Sequence, residues 1–443
     1  MDKEKKERMK SLKYILFIVL VVILFLPLYQ QLYPFVELKP LNGEYKKTIK
    51  PSLSSKGWFS GEYQTHFDKY YNDTIGFRPF FVRTYNQIYY SIFSTSGNKG
   101  IVSGKDGYLY EYNYIDAYNG LDYLGDKKID SIFFKLEKLQ DTLKKLNKNI
   151  IIIFAPSKAS FYPEYIPNSF FVKQNPKTNY QQITKKLKHT NLPYIDINRW
   201  FIGMKDTSTY TLINRNGIHW TRYGECLVMD SITKFVNKLT DVQLPEIVCD
   251  SLVFGKAKYT DNDIGKAMNL FWIKDDLKLA YPEIRYDNSK ASKKKLRPMI
   301  IGDSFYWGMH SIGFSDRVFS EGEFWYYFHN IYPETYKDGY TIQKYVALVD
   351  LKEEIKKFDL IILLQTEPNL NKFGFGFIDR AYDMFFVSGD GIDRKSDRLK
   401  YFMEIIKADK KWFNLIKEKA KKQNISIEQA LHNDAVYMIE QKN

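Results

Sequence analysis

Arg297-Pro-Met-Ile-Ile-Gly-Asp-Ser-Phe305 is the stretch that decides the fold. Met299, Ile300 and Ile301 form a short unbroken apolar run, as a strand buried on both faces requires. Gly302 ends the run, and Ser304 stands on a turn before a helix expected over Phe305–Met309. Ligands of open α/β sheets bind at the carboxyl ends of the strands, so a nucleophile belongs at this turn. Backbone N–H groups of the turn, around Gly302 and Asp303, would meet a developing oxyanion. Gly-Asp-Ser also makes ordinary turns and caps ordinary helices, and alone it favours that plainer role.

The surrounding pattern is strand–helix alternation. Residues 129–147 carry apolar side chains at helical spacing, and Ile150–Phe154 is a continuous apolar strand. Residues 178–189 predict a helix, Tyr194–Ile197 a strand, and 222–238 another helix. Leu360–Leu364 repeats the short apolar strand. Alternation with unbroken strands predicts an α/β fold, a three-layer core whose parallel sheet is covered on both faces. A hairpin should precede it, with Gly104-Lys-Asp-Gly107 as its turn and Tyr108–Tyr110 as a strand. Residues 245–295 are lysine-rich and less periodic, and read as an insertion or strand pair. Residues 394–439 read as helix throughout.

A second motif changes the weight given to Ser304. Asn216-Gly-Ile-His219-Trp220-Thr-Arg-Tyr-Gly224 leads into the helix at 222–238, with Thr221 as its N-cap. A serine hydroxyl is a poor nucleophile until a base takes its proton, and a nearby histidine is the usual base. Of six histidines only His219 sits on a loop entering a helix; His310 reads as a packing residue. Asp303 reads as a shaper of the turn. Lys158 is either a buried lysine beside the site or a solvated one. Arg78 reads as one half of an ion pair or as a substrate contact. Glu367 and Asn369, after the 360–364 strand, either touch substrate, as Trp220 also would, or cap their loop.

The amino terminus sets the compartment. Lys3, Lys5, Lys6, Arg8, Lys10 and Lys13 precede the apolar run Tyr14–Leu26, and Leu28–Tyr33 can extend it to the interface. Positive flanks stay inside, and no small-x-small cleavage site follows, so an uncleaved signal anchor is expected. The division expected is 1–33 basic tail and anchor, 34–57 tether, 58–390 main domain and 391–443 helical extension. Everything beyond about residue 35 would then lie outside the cytoplasm, in the periplasm. A formal charge of +14 suits a membrane surface or an acidic polymer. Lysines spread along the chain, without a zinc-finger, RRM or KH pattern, exclude nucleic acid. Tyr (35) and Phe (32) are abundant, which fits either a polymer groove or aromatic-filled cores. Cys226 and Cys249 read as structural, with one disulfide allowed in an exported chain.

Taken in order, these segments resemble the SGNH hydrolase superfamily in its membrane-linked branch, the AlgX/AlgJ-type alginate O-acetyltransferases and related DHHW proteins. The similarity runs over roughly residues 55–385. It rests on Asp73-x-x-Gly76-Phe77-Arg78, Gly104-Lys-Asp-Gly-Tyr-Leu-Tyr110, Ala155-Pro156-Ser157-Lys158, His219-Trp220 with Tyr223-Gly224, and Gly302-Asp303-Ser304-Phe305. The resemblance implies a flavodoxin-like core and acetyl transfer to an exported polysaccharide, with Ser304 and His219 as catalytic residues. It implies no bound cofactor or metal. The acetyl donor would come from a multi-pass membrane acyltransferase partner. Family triads carry an aspartate two or three residues before the histidine, where this chain has Gly217 and Asn216. Asn216 would then be a weaker third member, or a carboxylate from elsewhere would replace it, or activity would be degraded. Two other functions suit the same features: a carbohydrate acetylesterase, and a non-catalytic polysaccharide-binding component of an export assembly.

Overall fold

The computed structural model describes residues 2–43, 48–172, 177–333, 344–387, 394–423 and 425–441. It opens with a helix over Asp2–Leu32. Side chains from Tyr14 to Leu26 are exposed all round it, and none of the described residues covers them. The apolar segment Glu7–Leu32 is 26 residues long. At about 1.5 Å per residue that exceeds the roughly 30 Å hydrocarbon core of a bilayer. Two further helices, Glu62–Thr74 and Arg78–Phe93, follow.

The strands are β1 (Ile101–Ser103), β2 (Leu109–Glu111), β3 (Asn149–Phe154), β4 (Tyr194–Asp196), β5 (Glu246–Gly255), β6 (Leu279–Asp287), β7 (Pro298–Gly302), β8 (Glu323–Tyr326), β9 (Asn330–Pro333), β10 (Lys344–Tyr345) and β11 (Leu360–Gln365). Seven of them make one sheet in the order β10-β9-β8-β7-β11-β3-β4. Pairing is parallel from β8 through β7, β11 and β3 to β4, while β9 and β10 add antiparallel to the far edge. The expected α/β class and mostly parallel sheet are found. The antiparallel edge was not expected, because its strands are two to four residues long and carry too little periodicity to read.

Two apolar cores cover the faces. Ile151 and Ile153 of β3 point into one, with Ile300 of β7 and Ile362 and Leu364 of β11. Ile150, Ile152, Met299, Ile301, Ile361 and Leu363 point into the other. This is the period-two alternation of a sheet buried on both sides, and it explains why the strands read as unbroken apolar runs. The helix Asp126–Lys145 buries Ile129, Ile132, Leu136, Leu139 and Leu143, one face at helical spacing, against the second core.

The chain runs outward from β3 to β4 on one side and from β7 to β8 on the other. The carboxyl ends of β7, β11 and β3 therefore meet at the middle of the sheet, where Gly302 pairs with Leu364 and Phe154 with Gln365. Between the helix Arg222–Leu239 and β7, the stretch read as an insertion forms an antiparallel ribbon, β5 with β6. A disulfide joins Cys226 on that helix to Cys249 on β5.

The carboxyl-terminal stretch expected to be helical forms three helices among the described residues, Arg394–Ala408, Lys410–Gln423 and Ile427–Gln441. Tyr401, Phe402, Ile416, Leu431 and Ile439 make their own core, and Tyr345 and Leu348 beside the sheet edge pack into it.

Candidate active site

Ser304 leaves the end of β7 immediately before the helix Tyr306–Ser311. The turn is held by Asp303, which is fully buried. One oxygen of its carboxylate accepts from the Phe305 backbone N–H at 3.1 Å. The other accepts from the Thr366 N–H and hydroxyl, both at 2.8 Å, and from the Asn369 amide at 2.9 Å. Asp303 thus clamps the nucleophile turn to the loop after β11, which agrees with a shaping role. Its own backbone N–H goes to the Leu364 carbonyl at 3.3 Å, and Gly302 is part of the ladder. The Asp303 N–H is thus spent on the sheet and does not face an oxyanion, contrary to expectation; among the described residues the Ser304 N–H has no backbone partner.

His219 Nε2 lies 2.9 Å from Ser304 Oγ. Its Nδ1 lies 2.5 Å from Oδ2 of Asp263. The other oxygen of Asp263 accepts from the backbone N–H groups of Ile218 at 2.9 Å and Ile264 at 2.7 Å. A hydroxyl, an imidazole and a carboxylate are therefore in line, and the carboxylate is fixed by backbone on both sides of the pair. This is the arrangement in which imidazole takes a hydroxyl proton and the carboxylate holds its tautomer.

Asn216 does not occupy the third position. Its side-chain nitrogen donates to the Lys274 carbonyl at 2.8 Å, and its Oδ1 accepts no hydrogen bond among the described residues. The carboxylate comes instead from the inserted ribbon, between β5 and β6. Two glycines allow that approach. A Cβ on Gly217 would meet the Asp261 carbonyl oxygen at 2.5 Å, and one on Gly265 would meet Asn262 and the Asn216 Cβ. The Gly265 N–H then bonds the Asn216 carbonyl at 3.0 Å, locking the Asp263 segment against the histidine loop.

Electrostatics follow from burial and pairing. For His219, burial alone lowers the pKa; the Asp263 charge and hydrogen bond, with Asp303 and Glu111, outweigh it and raise the value above the ordinary 6.5. Burial would raise Asp263, yet the His219 charge and hydrogen bond and the two backbone donors hold it below the ordinary carboxyl value. Glu111, at the end of β2, is raised by burial first and by Asp263 second.

Lys158 is buried, and its ammonium donates to the carbonyls of Asn214 (3.0 Å), Arg215 (2.6 Å) and Gly217 (2.6 Å). Burial draws its pKa down to about 7. It supports the loop that ends in His219 and does not reach the cleft as a substrate contact. Glu367 is likewise taken up internally, accepting from Ser160 at 2.6 Å and Asn198 at 2.9 Å. Trp220 is fully buried, edge-on to Phe305, whose ring also lies beside His219. Arg78 bonds Asp73 at 3.3 Å and the Asn72 carbonyl at 3.0 Å, the ion-pair reading, and is not among the residues of the cleft. Asn369 does line the cleft, with Glu111, Tyr112, Tyr114 and Tyr327 around Ser304, His219 and Asp263; its volume is about 530 Å³.

With that geometry in place, residues 101–292 match the family model described as SGNH hydrolase-like domain, acetyltransferase AlgX. Over that span the chain is similar to AlgX-type SGNH hydrolase-like domains. The matched span holds His219 and Asp263 and ends before Ser304. Ten solved chains are similar, among them the following three. The O-acetyltransferase domain of Pseudomonas putida AlgJ is 15% identical with a TM-score of 0.41, over 64% of this chain and 99% of that one. Bacillus cereus PatB1 is 11% identical with a TM-score of 0.38, over 62% and 99%. Pseudomonas aeruginosa AlgX is 10% identical with a TM-score of 0.39, over 67% and 69%. Comparison with curated proteins gives no match.

Proposed function

We propose that this chain is a membrane-anchored, extracytoplasmic serine O-acyltransferase that moves an acetyl group onto a hydroxyl of an exported polysaccharide. The observation that carries the proposal is the line Asp263–His219–Ser304, with 2.5 Å and 2.9 Å between successive partners. In the first half-reaction Ser304 Oγ gives its proton to His219 Nε2 and bonds the acyl carbon of the donor. The Ser304 N–H donates to the oxyanion. Collapse breaks the bond to the donor's leaving group, which takes the proton from Nε2, and an acyl-serine remains. In the second, a sugar hydroxyl gives its proton to Nε2 and its oxygen bonds the acyl carbon. Ser304 Oγ then leaves and recovers the proton. Asp263 keeps the Nδ1–H tautomer and stabilises the imidazolium in both halves.

Two features support the location. The apolar helix ending at Leu32 is long enough to span a bilayer and suits a signal anchor. The Cys226–Cys249 disulfide suits an oxidising compartment. Outside the cytoplasm the acetyl group needs a carrier, and a multi-pass membrane acyltransferase partner is the donor that fits.

The activated serine gives a direct test. Incubation with an arylsulfonyl fluoride should add one label, found on Ser304 by peptide mass spectrometry. The label should be absent in Ser304→Ala and much slower to form in His219→Ala. A folded protein that takes no label would overturn the proposal in favour of a non-catalytic, polysaccharide-binding role.

A further inference from the structure

The helix Arg78–Phe93 is amphipathic in reverse. Its buried side chains are polar: Arg83, Asn86 and Gln87. Its exposed ones are apolar or aromatic apart from Ser91, and Phe81, Tyr85, Ile88 and Ile92 follow one side at helical spacing. A surface helix of a water-soluble domain turns its apolar side inward.

The inward polar side is fully engaged. Arg83 donates to the carbonyls of Lys39 and Pro40, both at 2.8 Å, so chain that follows the first helix packs on this one. Asn86 donates to the Met268 carbonyl at 2.7 Å. Gln87 Oε1 accepts from the backbone N–H groups of Phe271 at 3.0 Å and Trp272 at 3.2 Å. These three residues follow the short helix Asp263–Ala267, which opens with the triad carboxylate. The exposed side chains of Phe271 and Trp272 extend the apolar face, Phe271 lying 5.5 Å from Phe80.

The same helix starts beside the end of the apolar span. Gly76, two residues before it, packs on the last turns of Asp2–Leu32. A Cβ there would meet the Pro27 carbonyl oxygen at 2.1 Å and the Gln30 Cβ at 2.9 Å. The Phe77 ring lies 5.9 Å from that of Phe35, just past the span.

We propose that the apolar face of Arg78–Phe93, with Phe271 and Trp272, lies in the lipid surface on the outer side of the membrane. It is a contact separate from the spanning helix, and it rests on the membrane anchor proposed above. Phenylalanine, isoleucine and tyrosine without an exposed charge, beside a tryptophan, suit the level where headgroups meet acyl chains. Continuity with the end of the span places the face at that level, which favours lipid over a protein as its cover. Two contacts with the bilayer hold the domain in one orientation. The segment bearing Asp263 is bonded to the helix that makes the second.

Nitroxide labels on the full chain in phosphatidylcholine vesicles test this, placed singly through Phe81→Cys, Tyr85→Cys and Ile92→Cys. Cys226 and Cys249 are bonded to each other and take no label. Lys138→Cys is the reference, exposed on the helix Asp126–Lys145 that packs into the core on the other face of the sheet. Collision with oxygen, which concentrates in lipid, against a nickel chelate, which stays in water, gives the depth of each label. Melting curves identify the labelled chains that fold like the wild type. The three face labels should lie roughly 5–10 Å inside the headgroup boundary, and the reference label in water. Face labels as open to nickel as the reference would overturn the proposal and leave the face for a protein partner. Shielding from both reagents would also overturn it, by showing a second copy of the chain on the face. Extraction with alkaline carbonate tests the anchor separately. A chain that washes off loses the anchor reading, while label depth at neutral pH still decides the face.

Discussion

His219 and Asp263 are 44 residues apart in sequence and share a 2.5 Å hydrogen bond. The contact joins the loop entering one helix to the short helix carried between the two strands of the inserted ribbon. Without that ribbon the histidine would have no carboxylate. The insertion is therefore part of the site rather than an ornament on the domain.

Asp263→Asn should lower turnover by about 10⁴-fold while the protein stays folded, because the imidazole loses the acceptor that fixes its tautomer. Asn216→Ala should cost less than about tenfold, since Asn216 bonds the Lys274 carbonyl and not the ring. Steady-state hydrolysis of an acetyl ester by the two variants checks the order. The reverse order would return the third position to Asn216.

The pH profile should carry the same signature. Catalysis needs neutral His219, so activity falls as pH drops through the imidazole pKa. That pKa is raised, so the acid limb should lie above the ordinary 6.5. Asp263→Asn should move the limb to lower pH, because the main raising charge is gone. Asp263 is held below its ordinary value, so its contribution to stability is present above that value and lost as pH falls through the depressed one, while that of the raised His219 is present below 6.5 and lost as pH rises through the raised value. Kinetics from pH 5 to 9 measure the limb in both proteins.

The disulfide fastens the ribbon that brings Asp263. Cys226 and Cys249 are 23 residues apart, a loop whose closure contributes about 3 kcal/mol. The Cys226→Ser/Cys249→Ser variant should unfold at lower temperature and lose activity more steeply on warming than the oxidised protein. Identical melting curves would show that the ribbon holds its place without the bond.

Lys158→Met should destabilise the chain by about 2–4 kcal/mol, because three buried carbonyls of residues 214, 215 and 217 lose their donor. Turnover should fall with it, through displacement of His219. Denaturant unfolding of wild type and variant gives the difference directly.

Much of this was legible in the sequence because it is local. The strand Met299–Ile301 with Gly-Asp-Ser after it, and the loop carrying His219 into an N-capped helix, are short-range patterns that fix their own geometry. The third residue is not local. Asp263 lies in the lysine-rich stretch without periodicity, and only the return of β6 along β5 brings it to His219. The signals that mark the meeting are Gly217 and Gly265, where any larger residue would strike the opposite segment. Lys158 and Glu367 misled toward the substrate for the opposite reason: residues at the carboxyl ends of β3 and β11 look like cleft residues, but burial turns both inward to bond loops. The terminal stretch reads as helical because helical periodicity runs along it, but that pattern does not mark where Arg394–Ala408, Lys410–Gln423 and Ile427–Gln441 part.

The most direct measurement is turnover of a chromogenic acetyl ester by the domain beyond residue 35, beside Ser304→Ala, His219→Ala and Asp263→Ala. Each single variant should lose at least about 10³-fold in kcat, and the triple variant should be little worse than the worst single one, as residues acting as a unit behave. A folded Ser304→Ala protein that keeps wild-type turnover would contradict the account.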